Sequence, residues 1–268
     1  QAIRLQPNHA PALYNLGAIY QELGQFKKAL DACRRAVHAE PNLVQAHMKL
    51  GEILSEQDLN EAAMESFGKA HALDKNNTLI VARFALSLER SGRVSEGLRL
   101  LEETLQSHPA SVLLMNTLGQ LLHNNGQIQA AEAIFRKTLS MDQGNAESCF
   151  GLSCVHKFTM EDDDIIRRME SLLQKDNLAE MEVRNICFAL GKIHDDRREY
   201  DQAFLHYQRA NATREKNQGY DRRAHEQFVD DSISIFTPDF FAEFVRLGTA
   251  RERPLFIVGM PRSGTTLT

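Results

Sequence analysis

Apolar positions over the first 217 residues carry two periods at once. Within stretches of about a dozen residues they recur every three to four positions, the spacing of one face of an α-helix. Over this lies a longer period of 34 residues, marked by Gly17, Gly51, Ala85 and Gly119. Twelve residues after each stands a second small residue, Ala29, Ala63, Gly97 or Ala131, and seven further on a third, Ala36, Ala70, Thr104 or Thr138. Leu13 and Leu16, Leu50, Val81 and Phe84, and Met115 and Leu118 precede the first small residues. This pattern predicts units of two antiparallel helices, whose backbones approach at the small residues while the larger ones fill the space around them. Gly24, Gly92 and Gly126 fall between the two helices, where a left-handed residue ends the first; Asp58 is the exception. Pro41 and Pro109 close their units.

The 34-residue pattern resembles the tetratricopeptide-repeat (TPR) family. The units run 10–43, 44–77, 78–111 and 112–145, and Ala2 and Pro7 fit the tail of an earlier one. Residues 146–183 form an irregular unit, because Phe158–Asp164 breaks the pattern and a short insertion follows. The pattern returns over 184–217 with Gly191, Ala203, Tyr207 and Ala210. The expected architecture of residues 1–217 is thus an all-α, right-handed superhelical solenoid. The resemblance implies a concave face that takes up a peptide or protein partner, and the register lines it with Tyr14, Ala18, Met48, Glu52, Ala82, Leu86, Asn116 and Gln120.

Composition narrows the function classes. A net charge of −5 and the lack of any dense Lys/Arg block argue against a nucleic-acid surface. No apolar run approaches the roughly 20 residues of a membrane-spanning helix. Cys33, Cys149, Cys154 and Cys187 form no CxxC pair, and three of them fall on core positions, so they read as small buried apolar residues. The acidic run Glu161–Asp164 reads as a helix N-terminus, its carboxylates complementing the dipole ahead of Arg167 and Arg168, and no metal site is expected. The opening Gln1 and the abrupt end suggest a piece of a longer protein, truncated at both ends.

The character of the chain changes after the solenoid. Residues 218–253 read as a helical linker: Phe228, Val229, Ile233 and Phe236 recur at helical spacing, and Thr237-Pro238-Asp239 is a helix start ahead of Phe240, Phe241, Phe244 and Leu247. Leu255–Val258 is a short apolar run with the signature of a buried parallel strand. Gly259-Met260-Pro261-Arg262-Ser263-Gly264-Thr265-Thr266 follows at once, a glycine-bearing loop of the kind that cradles phosphate at a helix N-terminus. It has the Gly-x4-Gly spacing of a Walker A motif, but Thr265 stands where the lysine belongs. A TPR-linked NTPase therefore ranks below the next reading.

The segment RPLFIVGMPRSGTT resembles the opening strand and 5′-phosphosulfate loop of sulfotransferases that use 3′-phosphoadenosine 5′-phosphosulfate (PAPS), most of all tyrosylprotein sulfotransferases and bacterial TPR–sulfotransferase fusions. Phe188–Lys192, Asp195, Ala210, Asn211, Arg214 and Tyr220 are similar to the last repeat and linker of the fusions. The resemblance implies that residues 254–268 begin an α/β, P-loop-like sulfotransferase domain, with Arg262, Ser263, Gly264, Thr265 and Thr266 holding the phosphosulfate of PAPS without a metal. It further implies a cytoplasmic, bacterial enzyme that moves a sulfuryl group to a hydroxyl acceptor such as a protein tyrosine. In that family the general base and the 3′-phosphate site lie beyond the loop, so no catalytic residue is assigned within this chain, Glu161 and Asp195 included, and the fragment alone is expected to be inactive. The alternative is a protein–protein interaction scaffold without catalysis. A TPR glycosyltransferase is disfavoured, because Asn15 has Lys49, Arg83 and Thr117 at its equivalents instead of an asparagine ladder.

Overall fold

The two helices of most regular units begin by different means. Most first helices are started by side-chain caps: His9, Asn77, Ser111 and Asn145 each accept a bond from a backbone N–H of the first turn, whereas Leu43, before the first helix of the second unit, offers none. Second helices start with no such cap, directly out of a tight turn. That turn repeats one geometry. Gln25, Leu59, Arg93, Gln127 and Glu199 each donate their N–H back to a carbonyl five residues earlier, on Tyr20, Leu54, Leu88, Leu122 and His194, at 2.8–3.0 Å. The residue before each donor is left-handed, as this closure requires. Gly24, Gly92 and Gly126 hold φ of 69°, 77° and 76°, and Asp58 and Arg198 adopt 56° and 64° with a side chain attached. Asp58 thus keeps the turn that its departure from glycine put in question.

The computed structural model describes residue 6 and residues 8–175, 177–215, 222–235 and 237–240. The regular units comprise α1 (Ala10–Glu22) with α2 (Phe26–Ala39), α3 (Val44–Glu56) with α4 (Asn60–Leu73), α5 (Thr78–Arg90) with α6 (Val94–Ser107), and α7 (Val112–Asn124) with α8 (Ile128–Met141). Then come α9 (Ala146–Val155), a 3-10 turn (Met160–Asp162), α10 (Asp163–Leu172), α11 (Glu180–Asp196) and α12 (Tyr200–Glu215). Each second helix of the regular units packs on the first helix of the next unit. First helices also meet one another, α1 with α3, α5 with α7, α7 with α9 and α9 with α11, and no comparable packing joins the second helices. Residues up to Glu215 therefore form a helical solenoid whose inner face is built from first helices.

Small residues set how closely paired helices approach. A methyl group added at Gly51 would meet the Phe67 ring at 2.8 Å, one at Gly119 the Phe135 ring at 2.7 Å, and one at Gly191 the Tyr207 ring at 2.6 Å. The third unit exchanges the parts. Ala85 stands at the glycine position and faces the second helix bearing Leu101 in place of a ring, while Gly97 takes the place of the alanine at Ala29, Ala63, Ala131 and Ala203. A methyl on Gly97 would come within 3.0 Å of the Ala85 carbonyl oxygen. Volume is conserved at the crossing although the residues differ, as dense packing demands.

The fifth unit departs from the pattern where the sequence predicts an insertion. The chain leaves α9 through an extended His156 and buries Phe158. The acidic run is divided among several bonds. Asp163 and Asp164 lie in the first turn of α10, as expected. Asp162 accepts the Thr159 N–H at 2.8 Å and faces His156 Nε2 at 3.3 Å, and Asp163 reaches Arg197, at the C-cap of α11, at 2.8 Å. Burial pushes the Asp162 carboxyl up, but the hydrogen bonds from Thr159 and His156 outweigh it and hold the group below the usual aspartate range. Helix α10 approaches the backbone of α11 and not that of α9, and α11 packs directly on α9. Phe158, Ile166, Met169 and Leu172 join Leu152, Leu190 and Ile193 in one continuous core. The last unit's first helix starts at Glu180, four residues before the 184 that the periodicity suggests, with Glu182 accepting the Ala179 N–H at 2.9 Å.

Residues from Lys216 onward form a separate unit. In it α13 (Arg222–Ile235) exposes Phe228, Val229 and Ile233, and Thr237 Oγ1 accepts the Phe240 N–H at 3.2 Å, the N-cap bond the sequence predicts. The expected strand Leu255–Val258 and the loop containing Arg262, Ser263, Gly264, Thr265 and Thr266 lie outside the described residues.

A left-handed residue with a β-carbon costs roughly 1–2 kcal/mol, less for aspartate. Arg198→Gly is therefore expected to stabilise the solenoid by about 1 kcal/mol and Asp58→Gly by less, after glycine's own entropy is counted. Urea unfolding measures both, and a loss of stability in Arg198→Gly contradicts the strain.

Candidate functional site

The inner face carries two rows of first-helix side chains one turn apart. One row holds Tyr14, Met48, Ala82, Asn116, Phe150 and Phe188; the other holds Ala18, Glu52, Leu86, Gln120, Cys154 and Lys192. Tyr14, Ala18, Met48, Glu52 and Leu86 are half-buried and Gln120 is exposed, as a contact surface requires. Ala82 and Asn116 correct the expectation, because both are buried. Asn116, 2 % exposed, donates to Asn145 Oδ1 at 2.9 Å and Glu147 Oε2 at 3.2 Å and accepts the Ser148 hydroxyl at 2.5 Å. These bonds close the groove floor between α7 and α9 instead of facing a ligand. Ala82 is simply too short to rise above its neighbours.

Successive first helices are also tied by side-chain bonds between residues 35 apart. Gln21 donates to Glu56 at 2.7 Å, and Asn124 donates to Glu89 at 2.6 Å. Lys49 pairs with Glu52 at 2.5 Å, so burial, which pulls its pKa down, is outweighed and the ammonium titrates above the usual lysine range. The polar groups on the N-terminal part of the face are thus largely satisfied by one another.

The C-terminal part is different. Phe150, 37 % exposed, lies 6.3 Å from Phe188 between ring centroids, and Phe188 lies 6.3 Å from Tyr207. Such tilted pairs at this spacing are favourable aromatic contacts. Beside them Lys192 is held by both carboxylate oxygens of Asp196 at 2.6 Å, while Asp195 is exposed. Burial, then Asp195 and Asp196, push the Tyr207 hydroxyl above the usual tyrosine range, which marks the surroundings as acidic. The result is a partly exposed aromatic row with a carboxylate edge.

Family comparison fits this architecture. Tetratricopeptide repeat family models match residues 10–43, 44–77 and 83–146. These units are tetratricopeptide repeats. The matches end where the irregular fifth unit of the TPR array begins. An uncharacterized protein of Aquifex aeolicus is 26 % identical over 259 residues, which is 95 % of this chain and 33 % of its own length. Human Protein O-mannosyl-transferase TMTC3 is 26 % identical over 178 residues, 65 % of this chain and 19 % of its own. The chain therefore spans a third or less of the length of these relatives. Among solved structures, a TPR protein of Parabacteroides merdae superposes with a TM-score of 0.63 at 16 % identity, covering 85 % of this chain and 87 % of that one. Pseudomonas aeruginosa PilF superposes at 0.54 with 20 % identity, covering 76 % and 96 %. At such identities the likeness establishes the fold. Among the described residues no helix is long and apolar enough to cross a membrane, and no group of three or more His, Cys, Asp or Glu could hold a metal ion.

Phe150 and Phe188 are absent from the sequence-predicted lining, although the signal for them is present. The 34-residue step from Tyr14 through Asn116 reaches Phe150, and one enlarged step across the insertion reaches Phe188. Cysteine placement follows the expectation: Cys33, Cys149 and Cys187 are buried and Cys154 is exposed. Burial pushes the Cys33 thiol up to about 11 and the Cys149 thiol up to about 12. Packing around its sulfur also raises Cys154, and Lys192 offsets this only in part, yet the residue is open to reagents. In the native protein a maleimide is expected to modify Cys154 first and the other three only on unfolding. Peptide mapping checks the order, and early labelling of Cys149 contradicts the packing.

Proposed function

We propose that this TPR array is a protein-interaction module that holds an extended segment of a partner along the inner face of its C-terminal units. The observation that carries this reading is the partly exposed pair Phe150–Phe188, backed by the Tyr207 ring seated over Gly191, beside the exposed Asp195. Aromatic side chains already held in place are the residue type that anchors binding at interfaces. The carboxylates favour a partner with a basic residue next to an apolar or aromatic one. Selection of a random-peptide display library on the whole chain tests it. Selected peptides are expected to pair an apolar side chain with Lys or Arg, and Phe150→Ala with Phe188→Ala should weaken them by about tenfold or more. Peptides that bind both proteins equally contradict the reading.

A second reading rests on the RPLFIVGMPRSGTT segment. In it the parent protein is a TPR-containing sulfotransferase. Arg262, Ser263, Gly264, Thr265 and Thr266 hold the 5′-phosphosulfate of PAPS through backbone N–H groups, hydroxyls and the guanidinium. The support is the sequence itself: an apolar strand pattern, glycines at Gly259 and Gly264, and Arg262 within the loop in place of a Walker lysine. The solenoid would then present the protein acceptor or a partner to the neighbouring site. PAPS binding to the natural full-length protein should fall by about tenfold or more in Arg262→Ala/Thr265→Ala, since charge-assisted bonds are lost. Equal affinity in both removes the assignment.

A further inference from the structure

The irregular fifth unit opens a cavity of about 360 Å³ on the outer side of the array, between α8, α9 and α10. Its origin is the insertion: α10 returns against α11 instead of closing on the backbone of α9, so the wedge facing α8 is left unfilled. Its apolar wall is formed by the half-buried Leu139 and Ile165, backed by Leu152 and Met169, which are fully buried, and by Cys149, 2 % exposed. The Cys149 thiol, held up by burial, stays neutral and serves as part of that backing. Two guanidinium groups, Arg136 and Arg168, stand at the mouth.

The charges around the mouth leave a positive excess. Arg136 bonds Glu132 Oε1 at 2.8 Å, but that same oxygen also faces His156 Nδ1 at 3.1 Å, so one carboxylate serves two donors. Asp142, the other carboxylate near Cys149, accepts from the Gly144 N–H at 3.1 Å and from Asn145 Nδ2 at 3.2 Å. On α10 Asp164 is taken by Arg167. Arg168 has no ion pair among the described residues.

We propose that this cavity binds a small amphipathic monoanion, a carboxylate on an aliphatic body of about ten carbons, with the chain against Leu139 and Ile165 and the carboxylate on Arg168 and Arg136. The volume lies at the lower end of the range for small-molecule pockets, roughly 300–1,000 Å³, which suits a ligand of that size. Guanidinium and carboxylate pair as a planar fork. This site is separate from the inner face and does not depend on either reading given above for that face or for the C-terminal loop.

Calorimetric titration of the whole chain with decanoate, and with 1-decanol as the uncharged probe of equal length, tests the assignment. Saturable one-site binding of decanoate is expected, tighter than that of decanol. Arg168→Glu, on an exposed side chain that should not disturb folding, is expected to weaken decanoate by about tenfold or more and decanol by less than about twofold. Ile165→Trp, which fills the cavity from its wall, should weaken both. Absence of saturable decanoate binding, equal binding of acid and alcohol, or affinities unchanged in both variants would each overturn the proposal.

Discussion

The solenoid depends on one steric constraint, a side chain of the second helix, in most units a bulky one, seated where the first helix has little or none. Phe67 over Gly51, Phe135 over Gly119 and Tyr207 over Gly191 bring the paired backbones close and fix their crossing. Because the same seat recurs along the chain, successive units stack with nearly the same offset, and the first helices gather on one side. The third unit shows that geometry, and not residue identity, is held constant: Ala85 with Leu101 and Gly97 reaches the same approach by moving the missing methyl to the other helix. Everything on the inner face, from the Gln21–Glu56 tie to the buried Asn116 network, inherits its spacing from these seats.

The fifth unit relaxes that constraint, and both candidate sites arise from the relaxation. With α10 displaced, α11 packs directly on α9, which brings Phe150 and Phe188 to neighbouring positions on the groove surface. On the opposite side the displacement leaves the arginine-rimmed cavity. His156 fastens the displaced segment: its two ring nitrogens face Glu132 of α8 and Asp162 of the 3-10 turn, and its ring meets Phe158 edge-on at 4.9 Å.

The helical architecture was legible from the sequence because small residues at fixed spacing have few other causes, and the turn glycines announced their own backbone geometry. Arg198 was not legible as a turn residue, since the hydrogen bond from Glu199 to His194 forces a conformation that arginine does not advertise. The groove residues were read by register alone. Register places a side chain on a face but is silent on depth, so Ala82 and Asn116 came out as floor, and stopping at the fourth unit missed Phe150 and Phe188. The path of the insertion follows from long-range contacts of Phe158, Asp163 and Arg197, which no local pattern encodes. The phosphate-loop motif is the opposite case, explicit in sequence and carried entirely by it.

The seat itself can be measured by a double-mutant cycle at Gly51 and Phe67. Gly51→Ala alone puts a methyl into the ring, and overpacking of this kind costs about 1–3 kcal/mol even though alanine is the better helix former. Phe67→Leu alone removes ring contacts, while the pair together brings in the alanine and leucine of the third unit's seat, Ala85 and Leu101, with Ala63 kept where that unit has Gly97. Urea unfolding of the four proteins is expected to give a favourable coupling of about 1 kcal/mol or more, the double variant being more stable than the two single effects sum to. Additivity to within about 0.5 kcal/mol would contradict the account, because the seat would then not determine how the helices meet.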